Sequence, residues 1–556
     1  MSLEPSKSNN NEVDLEVMRH SFAHVLAMAT LRLYPGTKLG IGPATKDGFY
    51  YEFEFSKKLT KEDLPKIEDE IRKIIAEEIP FKQIMVEREQ AFNTLIQLGQ
   101  IFKTELLQSI PDEKISFYKT GEDFIDMCRG PHVSHTGQLG VFKLTAITDI
   151  HWFGDISRPV MQKIEGIAFG TAEQMAEYEQ RLVNIKMRDH RKLGGELLLF
   201  ENQNWFSKGL IIKNLLKSTV ENKLSEIGYK AVETPATSDG LFRKSFATGH
   251  IEIFKSRRRS YKDLPIRFFE TGPLQHTLSE TSYGLFDISP VSSTEAFSFT
   301  APYNLQTDLQ AIIKMNMELY SKLELSLSSI QLCVPDLTGI ELSDKEKKVL
   351  NDYFQMMKTI LIESEIDVDI VTKQVFIYYD PYISFNIKDI NDREWDIGRI
   401  TIVFDPKLIP PVVTNTRNNQ EKINIVYDMP IVSYERLVAY LIESTNGALP
   451  LWLSPTQVDL LSISEKYNQY VQQLSTELTK EGIRNIYRIG DETIHTKIRK
   501  SQMQKTPYML IIGEKEIKTN SVSVRNRDGQ ELGLIRIDEF IGKLKSEINI
   551  EKSPTV

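Results

Sequence analysis

The chain is predicted to fold into several domains of the α/β and α+β types, and three observations support this. Its 556 residues are too many for one hydrophobic core, so about three or four domains are expected. Apolar residues recur at helical spacing in LEVMRHSFAHVLAMATLRLY, whereas GFYYEFEF alternates as a strand does. After PLWLSPTQVDLLSIS, strand and helix patterns alternate, which predicts a compact α/β domain of about 105 residues with a mixed sheet.

Changes of pattern along the chain predict the domain boundaries. The polar start MSLEPSKSNNNE lacks a secretory hydrophobic region and is expected to be disordered. In MRDHRKLGGEL, Gly194 and Gly195 are predicted to close a charged helix, which marks the end of the first folded domain. The expected parts are a tail at 1–14, a first domain at 15–194, a central domain at 195–447 and a C-terminal domain at 448–556.

Composition argues against a secreted or membrane protein. The cysteines, Cys128 and Cys333, cannot build a disulfide framework, which favours a reducing compartment. No apolar run reaches the roughly 18 to 20 residues that span a membrane, so we expect a cytoplasmic protein without a membrane partner. The net charge of −9 argues against a nonspecific nucleic-acid coat but permits a local basic surface.

Two matched spacings predict a site that activates water. His20 and His24 lie four residues apart in a helical segment, so both imidazoles project from the same face. Cys128 and His132 have the same spacing but flank a Gly-Pro pair, which favours a rigid turn. These four residues suit a zinc ion; alternatively, a neutral histidine orients or deprotonates water while Cys128 and a lysine bind the substrate. The spacing leaves both open, together with the alternative that His20 and His24 are ordinary helix-surface residues.

The segments around these four residues, RHSFAHVLA and DMCRGPHVSHTG, resemble the threonyl-tRNA synthetase family of class II synthetases. RHSFAHVLA, LYPGTKLGIGPATKDGFYYEF and DMCRGPHVSHTG are similar to its editing domain, SKGLIIKNLL, YKAVETP and LPIRFFETG to its motif 1 and motif 2 regions, and PLWLSPTQV through SVSVRNRDGQELG to its anticodon-binding domain. The resemblance covers nearly everything from about residue 15 to residue 546. It implies an editing domain, a class II core with an antiparallel sheet and a C-terminal α/β anticodon-binding domain.

The resemblance also implies a complete set of catalytic editing residues. Lys103, in FKTELL, aligns with the family's catalytic lysine and could stabilise the developing oxyanion or orient the terminal ribose. The alternative is that Lys103 is a surface lysine. The implied catalytic residues are His20, His24, Lys103, Asp126, Cys128 and His132.

In the central domain the resemblance implies that residues which bind ATP and zinc in the family have been replaced. His276 stands where the family has an arginine that grips the α-phosphate of ATP, and histidine lacks the bidentate fork that suits phosphate. Phe297 and Tyr427 stand at two histidine ligands of the family's synthetic-site zinc, and the stretch that supplies the zinc cysteine has no counterpart. Motif 3 is half retained, because Glu435 and Arg436 match. We therefore expect neither ATP nor this zinc to bind.

The C-terminal domain is expected to contact tRNA. Alternation in SVSVRNRDG predicts a strand that presents Arg525 and Arg527 to one side, where arginines can contact phosphates or base edges. The resemblance matches Arg527 to an arginine that contacts the anticodon. Lys518 stands where the family has a glutamate that helps to read the anticodon, which leaves the mode of recognition open.

Together these features predict a freestanding trans-editing factor that hydrolyses threonine tRNA mischarged with serine. A missing methyl is worth only about 1–3 kcal/mol in a binding pocket, so a synthetase mischarges some tRNA and a second site must hydrolyse the error. The resemblance implies a missing N-terminal ubiquitin-like domain, a separate catalytic threonyl-tRNA synthetase as partner and a homodimer. No cofactor is obligatory, although zinc is an open alternative in the editing site. The competing hypotheses are a noncatalytic tRNA-binding or synthetase-partner protein and an active threonine–tRNA ligase.

Overall fold

The protein divides into two compact units, the first ending at Val183 and the second beginning at Asn184. The computed structural model describes residues 14–235, 237–238, 241–276, 278, 283–338, 340–374, 380–404, 411–415 and 417–552. The predicted disordered tail lies outside these residues except for Asp14, which caps the first helix by accepting a hydrogen bond from the Glu16 N–H. No helix among the described residues is long and apolar enough to cross a membrane.

The first unit packs one central helix against two antiparallel sheets. Its helices are α1 (Leu15–Leu33), α2 (Leu64–Ala76), α3 (Arg88–Gln97) and α4 (Ile101–Ser109), and its strands are β1 (Lys38–Leu39), β2 (Gly48–Glu54), β3 (Phe81–Glu87), β4 (Lys114–Thr120), β5 (Phe124–Met127), β6 (Val141–His151) and β7 (Val160–Phe169). The sheets have the strand orders β1-β2-β7-β6 and β3-β4-β5. Because α1 is buried almost continuously between Met18 and Thr30, its polar residues lie inside the unit.

The loop after β5 is tied back to the smaller sheet at both ends. The Cys128 N–H donates to the Ser116 carbonyl of β4 at 3.1 Å, and the Phe81 N–H of β3 donates to the Ser134 carbonyl at 3.0 Å. Gly130 has a φ of +70°, and a Cβ there would come within 2.2 Å of the Tyr118 hydroxyl. The Gly-Pro turn predicted from the sequence therefore holds Cys128 and the residues after it in one place.

The central part of the second unit is built on an eight-stranded sheet. The helix α5 (Ala172–Arg188) leads into this part from the first unit. The other helices are α6 (His190–Glu196), α7 (Ser207–Glu226), α8 (Ala247–Lys255), α9 (Leu305–Lys322), α10 (Asp344–Glu363) and α11 (Tyr434–Ser444). The strands are β8 (Phe200–Glu201), β9 (Asn204–Trp205), β10 (Lys230–Ala231), β11 (Thr237–Ser238), β12 (Leu241–Phe242), β13 (Ile266–Leu274), β14 (Val291–Thr300), β15 (Ser329–Asp336), β16 (Asp369–Gln374), β17 (Tyr382–Lys388), β18 (Glu394–Ile402), β19 (Val412–Thr414), β20 (Gln420–Lys422) and β21 (Asn424–Ile431). The order is β10-β13-β14-β21-β18-β17-β15-β16, with parallel pairs only at the two edges. The predicted antiparallel core is confirmed.

The prediction that Gly194 and Gly195 close a helix is wrong. α6 runs through both glycines to Glu196, and the helical pattern breaks at Asp189 instead, between the end of α5 and the start of α6. Gly194 serves close packing instead, because a Cβ there would lie 2.4 Å from the Phe200 ring. Gly194 is therefore a contact of α6 with β8 rather than a helix stop, whereas a Cβ at Gly195 would meet no atom within 4 Å.

The C-terminal part of the second unit is an α/β domain with the mixed sheet that the sequence predicts. Its elements are β22 (Val458–Ser462), α12 (Asn468–Lys480), β23 (Asn485–Arg488), α13 (Ile494–Met503), β24 (Tyr508–Ile512), α14 (Glu514–Lys518), β25 (Ser521–Asn526), β26 (Glu531–Arg536) and α15 (Ile537–Lys552). The order is β23-β22-β24-β25-β26. The first three strands are parallel and the last two pair antiparallel.

Candidate active site

The two histidines of α1 point into the first unit rather than toward solvent. His24 is only 2% exposed, and its ring lies edge-on to His20 with the ring centroids 5.7 Å apart. The alternative that these are ordinary helix-surface residues is therefore wrong. The reason is that α1 is covered on nearly all sides, which the helical period alone does not reveal.

The loop after β5 brings Cys128 and His132 to the same point. The Cys128 Sγ lies 3.2 Å from His20 Nε2 and 3.4 Å from His132 Nε2, and it accepts a hydrogen bond from the Gly130 N–H at 3.2 Å. The His132 ring centroid is 4.1 Å from that of His24. A helix and a loop thus form two walls of one cluster, as the spacings predict.

A buried ion pair closes the third side of the cluster. Lys103, on α4, is 4% exposed and its Nζ lies 2.8 Å from Asp126 Oδ1, so the alternative of a surface lysine is wrong. The Tyr51 hydroxyl of β2 donates to Asp126 Oδ2 at 2.5 Å, and His24 Nε2 lies 3.7 Å from the same oxygen. Burial, with the Asp126 carboxylate beside it, raises the pKa of Tyr51 well above its usual value, so the phenol keeps its proton and donates.

Desolvation keeps the four clustered side chains uncharged near neutral pH. Burial lowers the pKa of His20, lowers that of His24 well below its usual value, and lowers the pKa of His132 to about 2. Burial also raises the pKa of Cys128 to about 11. The site therefore offers neutral imidazoles that can accept a proton or hydrogen bond, next to the Lys103 ammonium.

The same side chains fit a soft metal ion. One donor atom from each of His20, His24, Cys128 and His132 lies within 4.8 Å of the others, and His24 Nδ1 is buried without a hydrogen-bond partner among the described residues. Neutral imidazoles are the form that binds zinc, whereas the neutral thiol would first have to release its proton. The donor set therefore suits either a closed four-ligand zinc site or a three-ligand site with a bound water.

Cys128 is expected to react slowly with iodoacetamide near pH 7, at a rate that rises about tenfold per pH unit until the pH approaches its pKa. The thiolate is the nucleophile, and burial raises the pKa of Cys128 to about 11. Mass spectrometry of the two cysteine peptides measures both rates, with the fully buried Cys333 as the internal control that stays unmodified in the folded protein. Rapid modification that is independent of pH would contradict this, and protection by one equivalent of Zn²⁺ would favour the metal alternative.

A cleft of about 370 Å³ opens beside Cys128. Apolar side chains of Met85, Ile115 and Met127 line it, with Asp112 and Lys114 among its polar groups. A concave apolar surface with a few polar groups is typical of a small-ligand site. Cys128 therefore forms part of the cleft wall, whereas His24, Lys103 and Asp126 are buried behind it.

An aromatic stack occupies the positions where the resemblance implies zinc ligands in the central domain. Phe297 of β14 lies directly opposite Tyr427 of β21, with ring centroids 4.9 Å apart and both side chains buried. The Tyr427 hydroxyl donates to Glu295 at 2.6 Å. The His250 ring packs on Phe297, and its Nε2 lies 3.1 Å from Glu270. These residues pack as hydrophobic core and do not fit the implied zinc.

The retained motif 3 arginine is used inside the protein. Arg436 is 2% exposed; its Nε donates to the Phe286 carbonyl at 3.0 Å and its Nη1 pairs with the Asp396 carboxylate. Burial alone would raise the pKa of Asp396, but Arg399 and Arg436 lower it well below its usual value. Burial and the nearby Arg436 lower the pKa of His276, which favours its neutral form. The guanidinium fork that would bind phosphate is already paired with protein acceptors.

The structure does not place the predicted C-terminal arginines on one strand face. β25 ends at Asn526, so Arg525 lies on it, while Arg527 follows in a turn and donates to the Leu449 carbonyl at 2.8 Å. Arg525 donates to the Gly529 carbonyl at 2.9 Å. Lys518 is exposed at the end of α14 and pairs with Glu514 at 2.8 Å. The alternation in the sequence continues past the strand end, which explains the error.

The sequence did not predict the residues that orient the histidine and cysteine cluster of the first unit. Tyr51 could have been found, because the alternation in GFYYEFEF places it inward with Phe49 and Phe53. Phe81 stacks on His132 with ring centroids 5.1 Å apart, and it lies about 50 residues away in the chain with no local signal. Ser21 also contacts His132, at 3.0 Å, and sits between the two histidines of α1.

Two parts of the chain match models of known protein families. Residues 115–168 match the family model described as the threonyl and alanyl tRNA synthetase second additional domain, a range that contains Asp126, Cys128 and His132. Residues 457–547 match the anticodon binding domain.

Relatives match nearly the full length. The chain is 33% identical to the threonine–tRNA ligase of Carboxydothermus hydrogenoformans over 569 residues, covering 96% of this chain and 89% of that protein. It is 31% identical to the threonine–tRNA ligase of Marinobacter nauticus, covering 97% and 89%. A crystal structure of the RNA binding domain of threonyl-tRNA synthetase from Cryptosporidium parvum is similar with a TM-score of 0.59 at 25% identity, covering 65% of this chain and 98% of that one.

Proposed function

The chain belongs to the threonyl-tRNA synthetase family, and on that premise we propose that it hydrolyses threonine tRNA mischarged with serine and does not itself attach threonine. One contrast carries this proposal. In the first unit, one donor atom from each of His20, His24, Cys128 and His132 lies within 4.8 Å of the others, and Lys103 pairs with Asp126 at 2.8 Å. The implied zinc positions of the second unit are instead filled by a Phe297–Tyr427 stack.

Hydrolysis at this site needs water, a proton acceptor and stabilisation of negative charge. The oxygen of a water molecule attacks the ester carbonyl carbon, the bond from that carbon to the ribose oxygen breaks, and a proton passes from the water to the ribose oxygen. His20 and His132 can accept a hydrogen bond from the water and orient it, because burial lowers the pKa of both and keeps the rings neutral. The Lys103 ammonium can stabilise the charge that develops on the carbonyl oxygen. The products are serine and free tRNA.

A zinc ion held by three of His20, His24, Cys128 and His132 would leave a position for water and would supply Lewis-acid activation of that water when bound. The role assigned to His20 and His132 applies to the metal-free site, because a nitrogen that binds zinc has no free lone pair to accept a hydrogen. We leave the metal alternative to direct measurement of zinc content.

Selection of serine over threonine would follow from the walls of the cluster. His132 lies between the Phe81 ring, stacked at 5.1 Å, and the Tyr118 ring, edge-on at 4.4 Å. Such a closely packed wall can accept serine and exclude the extra methyl of threonine. The mischarged tRNA would come from a separate synthetase that activates threonine, and this protein would act as a homodimer, as its family resemblance implies.

The test is to incubate the purified protein with serine-charged and threonine-charged threonine tRNA, and to assay ATP-dependent charging in parallel. We expect loss of serine only, and no charging. A variant with His20→Ala and His24→Ala is expected to lose hydrolysis while it still binds tRNA. Charging with threonine would show an active ligase, and no activity in either assay would show a binding protein.

A further inference from the structure

Ser21 lies behind His132, on the side of the ring that faces away from Cys128. Its Oγ is 3.0 Å from His132 Nδ1, while His132 Nε2 is 3.4 Å from the Cys128 Sγ. Ser21 is 0% exposed, so water does not compete for its hydroxyl. The contact therefore acts on the far nitrogen of a histidine whose near nitrogen faces the site.

The groups around Ser21 restrict where its hydrogen can go. Its Oγ lies 2.8 Å from the Val17 carbonyl oxygen, 3.0 Å from the Val133 amide nitrogen and 3.0 Å from His132 Nδ1. A hydroxyl has one hydrogen to donate and two lone pairs that accept. The carbonyl can only accept and the amide can only donate, so the hydroxyl hydrogen goes either to Val17 or to His132.

One of these two arrangements satisfies every group. If the hydroxyl donates to the Val17 carbonyl, as serine often does to the residue four positions earlier in a helix, its lone pairs accept from Val133 N–H and from His132 Nδ1–H. If it donates to His132 instead, two oxygens remain 2.8 Å apart with no hydrogen between them, which is repulsive in a buried site. The first arrangement requires the proton of neutral His132 on Nδ1.

We propose that Ser21 is a positioning residue that holds His132 in the Nδ1–H tautomer, so that the bare Nε2 faces Cys128 and the attacking water. A histidine nitrogen without hydrogen is the form that accepts a hydrogen from water, and its tautomer is set by what the other nitrogen bonds. The catalytic consequence rests on the hydrolysis proposed above. The tautomer itself does not, so the two can fail separately.

The experiment combines kinetics with nitrogen NMR on the full chain. The protein is labelled with ¹⁵N-histidine, and the signals of His132 are identified among the nine histidines by their loss in His132→Gln. In the wild type we expect a protonated Nδ1 and an unprotonated Nε2. Ser21→Ala is expected to change this pattern and to lower kcat for serine release by about 10- to 100-fold, the range typical for partners that orient a functional histidine, with KM changed less than about twofold.

Two further variants separate positioning from stability. Thr30→Val removes a buried hydroxyl from the same helix that has no hydrogen-bond partner among the described residues, and it should leave kcat and the His132 signals unchanged. Ser21→Thr keeps the hydroxyl and should retain most of the activity together with the wild-type His132 signals.

The NMR signals test the tautomer of His132, and the kinetics test its role in hydrolysis. An unprotonated Nδ1 in the wild type, or His132 signals unchanged in Ser21→Ala, would overturn the tautomer assignment. Changed signals with unchanged kcat would overturn the role in hydrolysis. A wild type that releases no serine but shows the expected signals would refute the proposed function and not the Ser21 contact.

Discussion

Replacing Lys103 with methionine is expected to reduce the release of serine from mischarged threonine tRNA by about 100- to 1,000-fold, the effect typical of removing one group that stabilises a developing oxyanion. Methionine keeps the length of the buried side chain but removes the ammonium that lies 2.8 Å from Asp126. Single-turnover release of labelled serine measures the chemical step. Binding of uncharged tRNA should change little, because the change is confined to the interior of the first unit.

The loss of a buried charge also affects stability, so this experiment needs a matched control. Removing one partner of a buried ion pair typically costs about 3–5 kcal/mol, because the other charge is left unpaired. Lys213 and Glu435 form a similar buried pair in the second unit, so Lys213→Met removes the same ammonium elsewhere. We expect it to destabilise the protein without a loss of hydrolysis. Equal loss of activity in both variants would mean that Lys103 acts only through folding.

Replacing Arg436 with alanine is expected to destabilise the central part of the second unit, toward the lower end of about 3–5 kcal/mol. Its guanidinium pairs with the partly buried Asp396, which among the described residues would keep its pair with Arg399. Hydrogen exchange in β18 and α11, which Arg436 joins, should accelerate accordingly. Serine release should stay unchanged, because all six predicted editing residues lie in the first unit.

The control for Arg436 is an exposed pair in the same unit. Arg191 pairs with Asp189 at the surface, and Arg191→Ala is expected to cost no more than about 1 kcal/mol. Thermal unfolding with Mg²⁺-ATP tests the opposite role for Arg436. If ATP raised the melting temperature of the wild type but not that of Arg436→Ala, and hydrogen exchange was equal in both, Arg436 would be a nucleotide ligand and our interpretation would be wrong.

At the Phe297–Tyr427 stack, the sequence and the tertiary structure supply different facts about the same two positions. The sequence indicates that two positions lack histidine, which says what is missing but not what replaces it. The register of β14 against β21 places the two rings directly opposite each other, where they stack at 4.9 Å. Cross-strand aromatic pairs stabilise a sheet, so the positions where the resemblance implies zinc ligands contribute to the core.

Local patterns alone determined several features of this protein. The helical period of α1 placed His20 and His24 on one face, and the Gly-Pro pair predicted a turn after Cys128. Alternating strand and helix segments near the C-terminus predicted the mixed sheet. Each of these depends on residues close together in the chain, whose backbone preferences and spacing are legible in the sequence. The resemblance to the family, which rests on the same motifs, is confirmed by the relatives that match nearly the full length of the chain.

Only the tertiary structure decided which of these residues share one environment. The burial of Lys103 against Asp126, the hydroxyl of Tyr51 on the same carboxylate and the Ser21 contact to His132 join residues that are 23 to 111 positions apart. Such pairings depend on how helices and sheets pack, and a single sequence carries no periodic signal for them. The pKa values follow the same rule, because desolvation by the surrounding fold, rather than residue type, keeps the histidines and the thiol of this site neutral.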